Sequence, residues 1–385
     1  MTRDLEVGRW GLVALALIHV LAGIGLASTT PVLSQIATHF SATPGAGTLV
    51  RGTVTAAGAA MIFGAPMAAL LSERYGERRV LAGALFVFAV AGTAGAVLDN
   101  LWLLVASRAL VGLAVAATGV AGIALLTKSV GDDQRNRWIG YVSVVGSLSS
   151  VISIPLAGVL GSIDWRLVFT LHLVAIPILA MVILFVRQPP PVRHLANSVR
   201  ASSRFPLALV FLGVACGAVT TALPLFVPFH LNDIGETAPA RIAVPLTATV
   251  VSAALASFLY GRVRRRLGAI EVFAVSFLLA SSGAAIVAAS TGIAVAAAGM
   301  LVIGLGMGLI IPNLAAAASE GDPELRARRI GVAHAGFFGA PLLVQFALEP
   351  LTLSAGAGAA LFAIAGFGLS MIAVVLLGRR MLVAA

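Results

Sequence analysis

LLSERYGERR (residues 70–79) sets five charged residues between two long apolar runs, in a chain that is only 10% charged. A glycine inside such a stretch permits a tight reversal, so it reads as a polar turn joining two helices. On either side, and from end to end of the 385 residues, apolar stretches of about 20 residues recur, each enough to cross about 30 Å of hydrocarbon. Composition agrees: 59% of residues are hydrophobic, the mean hydropathy is +1.04 and there are 41 glycines. No soluble core needs so much apolar sequence. Frequent Gly and Ala suit close helix contact in lipid. The sequence is that of an all-α polytopic membrane protein.

Cutting the chain at its polar, Pro-rich and Gly-rich points predicts twelve spans. They fall near 10–31, 48–71, 79–98, 101–127, 138–160 and 165–186, then 206–229, 241–260, 269–290, 293–318, 330–350 and 356–378. The first stretch, MTRDLEVGRWGLVALALIHVL, is too long in its apolar part for a signal peptide and has no convincing cleavage site, so it is expected to stay as span 1. With the N-terminus inside, 21 of the 25 Lys and Arg fall in cytoplasmic tails and loops. That is the positive-inside bias, and it predicts a plasma (inner) membrane protein with both termini cytoplasmic. The same bias explains a net charge of +10 without nucleic acid, because cationic loops face anionic lipid heads. Cys216 is the single cysteine, which excludes an intramolecular disulfide.

The proline-led polar stretch RQPPPVRHLANSVRASSRF (187–205) reads as a linker, giving a bundle over 1–187, a cytoplasmic linker over 188–205 and a second bundle over 206–385. The halves repeat at an offset of about 192 residues, where RNRWIGYV (135–142) matches RARRIGVA (326–333). ERYGERR (73–79) faces RRLGAIE (265–271), and STTPVL (28–33) echoes TTALPL (220–225) one residue out of step. Paired six-helix halves with a site between them are a recurring transporter plan.

With these motifs the sequence resembles the major facilitator superfamily, and within it the drug/proton antiporter-like members. The loop after span 2 carries Arg74, Gly76 and Arg79 of the family pattern, with Glu73 for its aspartate, Ala69 for its first glycine and Glu77 for an arginine. LLVASRALVGLAVA (103–116) is similar to the span-4 motif through Arg108 and Gly112, and DWRLVF (164–169) is a common lead-in to span 6. In span 5 the antiporter signature is reduced to SIPLAGVLG (153–161), with Pro155 and Gly158 surviving. The resemblance implies twelve transmembrane helices in two pseudo-symmetric six-helix bundles, with spans 1, 4, 7 and 10 around a central cavity.

Polar groups in hydrocarbon are costly and become candidates for function. No Asp or Glu falls at the centre of a predicted span, which disfavours a cation exporter with a buried carboxylate. Arg108 lies about nine residues, roughly 13 Å, inside one end of span 4. It reads either as an anion-binding guanidinium of the substrate and proton pathway or as an arginine bonded to helix ends and backbone carbonyls. His19, mid-way along span 1, reads either as a proton carrier or as a neutral histidine bonding a neighbour. Asn313 and Gln345 are candidate neutral contacts on the same pathway. His334 and His172 read as structural. Pro31, Pro224 and Pro312 are candidate helix bends. By the resemblance, Glu73, Arg74, Gly76 and Arg79 form a conformational latch, Glu73 docking at the start of span 11 where the helix dipole favours an anion. Arg51 and Glu349, toward the outer ends of spans 2 and 11, form an extracellular gate, or are two unrelated interfacial charges.

No phosphate-binding loop precedes the only lysine, Lys128, and no His/Cys/Asp/Glu cluster has metal spacing. The expectation is a monomeric secondary transporter, not an enzyme, needing no cofactor or metal. Its partners are the bilayer, a small-molecule substrate, and protons or a counter-substrate. Proton-coupled efflux of a small neutral or anionic organic compound is the first reading. Uptake or exchange of a small organic anion is the second, and a non-transporting receptor or scaffold a distant third.

Overall fold

A computed structural model describes residues 8–188, 207–319 and 326–377. All regular structure in these residues is helical. Ten segments are long and apolar enough to cross a membrane. The other two predicted spans are present as the helix Glu77–Ala94, whose first turn holds three charges, and as a broken segment that starts with Leu207–Thr220. The predicted linker falls almost wholly outside the described residues.

The turn at 70–79 forms as its glycine requires. Gly76 ends the helix Ala46–Tyr75 (span 2) with φ +87°, a backbone state open to glycine and strained for other residues. Glu77 then opens span 3 and is bonded by Lys128 Nζ from the end of span 4 and by Gln188 Nε2 at 2.9 Å. Arg78 Nη2 donates to the Ile183 carbonyl at 2.7 Å. These bonds tie the ends of spans 3, 4 and 6 together.

Spans 1 and 7 are interrupted helices. Span 1 runs as Arg9–Leu17 and Val20–Ala27, a 3-10 turn Thr30–Val32 and then Leu33–His39, so it continues beyond its predicted end. Span 7 repeats the pattern as Leu207–Thr220, Leu223–Leu225 and Val227–Asp233. Pro31 and Pro224 are the central residues of the two 3-10 turns; proline lacks the N–H that would continue an α-helix. The last helical stretch, Glu349–Leu377, is two helices joined across a non-helical Gly356 (φ +79°), so span 12 begins at this break, where it was predicted. Glu349 thus lies in the short helical piece between Ala347, where the helix Arg326–Ala347 (span 11) ends, and the break at Gly356, at the outer end of span 11 as expected.

Small residues set the helix spacing. A Cβ on Gly112 in span 4 (Leu101–Ser129) would lie 2.0 Å from the Ala57 carbonyl of span 2. A Cβ on Gly304 in span 10 (Ile293–Ser319) would lie 2.2 Å from the Thr249 carbonyl of span 8 (Pro239–Arg266). Both residues of the second contact lie 192 positions after those of the first, so the sequence repeat is also a repeat of packing. One buried apolar cluster is drawn from residues 14–186 and another from 209–375 with Ile154 of span 5 (Asp132–Ile163). Large apolar side chains such as Phe63 and Phe258 stand more than 70% exposed on the outer faces. In water that would be a liability, whereas against lipid tails it costs nothing.

Candidate functional site

A cavity of about 400 Å³ lies between the halves. Its walls come from spans 1, 2 and 5 on one side and spans 7, 8, 10 and 11 on the other. Most of the lining is apolar, including Met300, Met307, Phe337 and Phe338, and among the described residues it contains no Asp, Glu, Lys or Arg. The polar lining consists of Ser150, five threonines and His334. Four of those threonines already donate their hydroxyl protons. Thr220 donates to the Cys216 carbonyl at 2.6 Å, Thr221 to Gly217 at 2.9 Å, Thr249 to Met300 at 3.1 Å and Thr55 to Gln345 Oε1 at 3.1 Å. What they offer the cavity is lone pairs.

The end of the cavity nearest Arg51 is shut. Arg51 is buried, bonds Glu349 and has its guanidinium carbon 5.4 Å from the ring centres of both Phe226 and Phe229. The Thr55–Gln345 bond adds a second layer, and the Ala240 N–H donates to Ser162 Oγ at 3.3 Å between spans 8 and 5. These contacts all join one half to the other at the Arg51 end. At the opposite end Glu73, Arg74 and Arg79 are exposed. Glu73 has no hydrogen bond or ion pair among the described residues, and Arg74 lies over the ring of its neighbour Tyr75.

Sequence similarity points the same way as this two-sided cavity. The profile of the Major Facilitator Superfamily matches residues 15–344. The chain belongs to the major facilitator superfamily. Its fold is that of a membrane-embedded transporter with a small-molecule substrate. The tetracycline resistance protein, class G, of Vibrio anguillarum is 35% identical over 100 residues, which are 26% of this chain and 25% of that relative. The match thus spans about a quarter of the relative's length. Among solved structures, a POT family transporter in complex with 5-aminolevulinic acid superposes with a TM-score of 0.78 at 10% identity, covering 97% of this chain and 96% of the other. The inward open xylose transporter XylE from E. coli gives a TM-score of 0.72 at 15% identity, covering 95% of each chain. At these identities both show the fold alone.

Within this superfamily fold, several sequence expectations need correction. Span 4 does not line the cavity; it packs behind span 2 through Gly112. Arg108 is fully buried and faces away from the cavity. Its Nη2 donates to the Ala91 and Gly92 carbonyls at 2.7 Å each, its Nη1 lies 3.2 Å from His172 Nε2, and it stacks over Phe169. Ala91 and Gly92 sit in the last turn of span 3, where carbonyls have no partner within the helix, so Arg108 caps that helix and complements its dipole. His172 is structural, as read from sequence. Asn313 is also away from the cavity, its amide donating to the Ala269 carbonyl at 2.9 Å and accepting from Tyr260 at 3.2 Å. Gln345 joins the halves rather than lining the path. His19 stands where span 1 changes from one helix to the next, beside the cavity wall at Gly146, and neither ring nitrogen has a hydrogen-bond partner among the described residues.

Sequence reasoning set aside one residue that lines the cavity. His334, read as structural, lines the cavity at the Glu73 side of Phe337 and Phe338. The threonines were missed as well, although one signal was available. The repeated stretches STTPVL and TTALPL, quoted for their symmetry, supply Thr30, Thr220, Thr221 and Pro224 to the two facing walls.

Proposed function

We propose that this chain works by alternating access as a monomeric secondary transporter of the plasma membrane, exporting a small, neutral and largely apolar organic compound in exchange for protons. The observation that carries the reading is the cavity between the halves: large enough for a drug-sized ligand, predominantly apolar and, among the described residues, free of fixed charge in its lining. The partial likeness to a tetracycline resistance protein supports export. The anionic cargo expected from the sequence loses its support, because Arg108, the cation invoked for it, is spent on span 3. In this reading Arg51 and Glu349 are the extracellular gate, drawn closed, with Thr55 and Gln345 behind them. Glu73, Arg74, Gly76 and Arg79 form the latch that engages when the opposite end closes, so the described state is inward-facing.

In proteoliposomes with an acidic lumen, chloramphenicol as a neutral probe should accumulate against its gradient and benzoate as an anionic one should not. Flux that ignores the pH gradient but requires internal substrate would replace proton coupling by exchange. Benzoate transport without chloramphenicol transport would sink the substrate class.

A further inference from the structure

We infer that His334 Nε2 is the anchor for a hydrogen-bond donor on the substrate, and that a proton competes with the substrate for this one lone pair. The inference rests on reading the cavity as the transport site, and it names which neutral compounds fit and where the proton enters the cycle.

His334 Nδ1 lies 2.9 Å from the Ile330 carbonyl one turn earlier in its own helix. A carbonyl only accepts, so Nδ1 carries the proton and a neutral ring must present Nε2 as an acceptor. The ring is held in that orientation by stacking on Phe338, with centroids 6.3 Å apart and planes 27° from parallel. Nε2 has no protein partner among the described residues, and the side chain lines the cavity. Among the described residues, His334 is the only titratable side chain in that lining.

The rest of the polar wall makes the acceptor character general. Thr55, Thr220, Thr221 and Thr249 have committed their protons to protein oxygens. A ligand acceptor finds few donors here, whereas a ligand N–H or O–H finds an imidazole nitrogen, the strongest neutral acceptor in the wall. Once Nε2 is protonated it becomes a donor, and that lone pair is gone. Substrate and proton thus exclude each other at one atom, which is the condition for exchanging them.

The charged groups on the surrounding elements do not supply a competing site. Of the helices packed against span 11, span 2 carries Arg51, which is engaged by Glu349, and Glu73 and Arg74 at its exposed far end. Glu349 lies in the short piece between spans 11 and 12, and the described residues of spans 7 and 10 that pack there carry no charged group facing the cavity. On span 11 itself Arg326, Arg328 and Arg329 precede His334 in the first turn. Arg329 does not line the cavity, and the side chains of Arg326 and Arg328 lie outside the described residues.

Indole and 1-methylindole test this directly, since they share an aromatic body and differ by one N–H donor. With the purified full chain at pH 8, equilibrium dialysis should show indole binding about tenfold tighter, the ratio that one net hydrogen bond of about 1.4 kcal/mol provides. At pH 5 the preference should fall toward one. His334→Gln, which keeps an acceptor but cannot titrate, should retain a preference at both pH values. His334→Leu, checked for an unchanged melting temperature, should lose it at both. Equal binding of the two indoles to the parent at pH 8 overturns the proposal, as does a preference that survives in His334→Leu. Binding is read without transport, so a failed chloramphenicol flux with an intact indole preference would remove the export reading and leave this one standing.

Discussion

Arg108 sits in the apolar interior without a carboxylate, and two carbonyls at the end of span 3 explain how it stays there. A charge in such a place is expensive unless every donor is used, and here the helix terminus supplies what an acidic partner would. Gly92 is part of the same device, since a Cβ there would lie 2.4 Å from the His172 ring. Arg108→Leu should therefore lower stability, at about 1–3 kcal/mol for each acceptor left without a partner, read as a fall in melting temperature. Indole binding should change by less than about twofold, because an apolar replacement behind span 2 leaves the cavity wall in place. Lost binding with unchanged melting would return Arg108 to the transport pathway.

Among the elements, the paired contacts of spans 2 with 4 and 8 with 10 carry the strictest size limit. The Ala57 carbonyl faces Gly112, and the Thr249 carbonyl faces Gly304 beside Ser252 Oγ; neither carbonyl can rotate away as a side chain can. Gly112→Ala and Gly304→Ala should each force the helices apart and destabilise by about 1–3 kcal/mol, the range for overpacking. Gly119→Ala on the same span 4 is the control: nothing lies within 4 Å of its Cβ position, so it should be neutral or stabilise by up to about 1 kcal/mol through helix propensity. Thermal unfolding of the three variants in one detergent compares them. Equal melting of all three would mean that the glycines do not set this spacing.

For the molecule as a whole, the relevant quantity is the balance between the state closed at the Arg51 end and its opposite. Glu349→Gln leaves the Arg51 charge buried between two phenyl rings, and breaking a buried pair costs about 3–5 kcal/mol. The ratio of closed to open state should fall at least tenfold, since about 1.4 kcal/mol suffices for that. Glu73→Gln should act in the other direction, by weakening the state in which the Glu73 end closes. A Val54→Cys reporter on the cavity wall, in a Cys216→Ala background, makes both visible to an impermeant maleimide added outside intact cells. Labelling should rise in Glu349→Gln and fall in Glu73→Gln; unchanged rates in both would dismiss the gate and the latch.

The sequence alone determined the all-helical membrane fold, most span positions, the 192-residue repeat and the family. These follow from hydropathy, helix length and local backbone rules, which act within about 20 residues of chain. Gly76 could be assigned to its turn, and Pro31 and Pro224 to their bends, for the same local reason. The tertiary structure decided which polar residue faces the cavity. Arg108 and His334 are both single polar residues in apolar helices, and no local property distinguishes them. Their difference lies in the neighbours: span 3 ends beside Arg108 and takes up its donors, while no partner among the described residues stands beside His334 Nε2. Helix rotation and the approach of remote carbonyls set that outcome, and both arise only when the twelve segments pack.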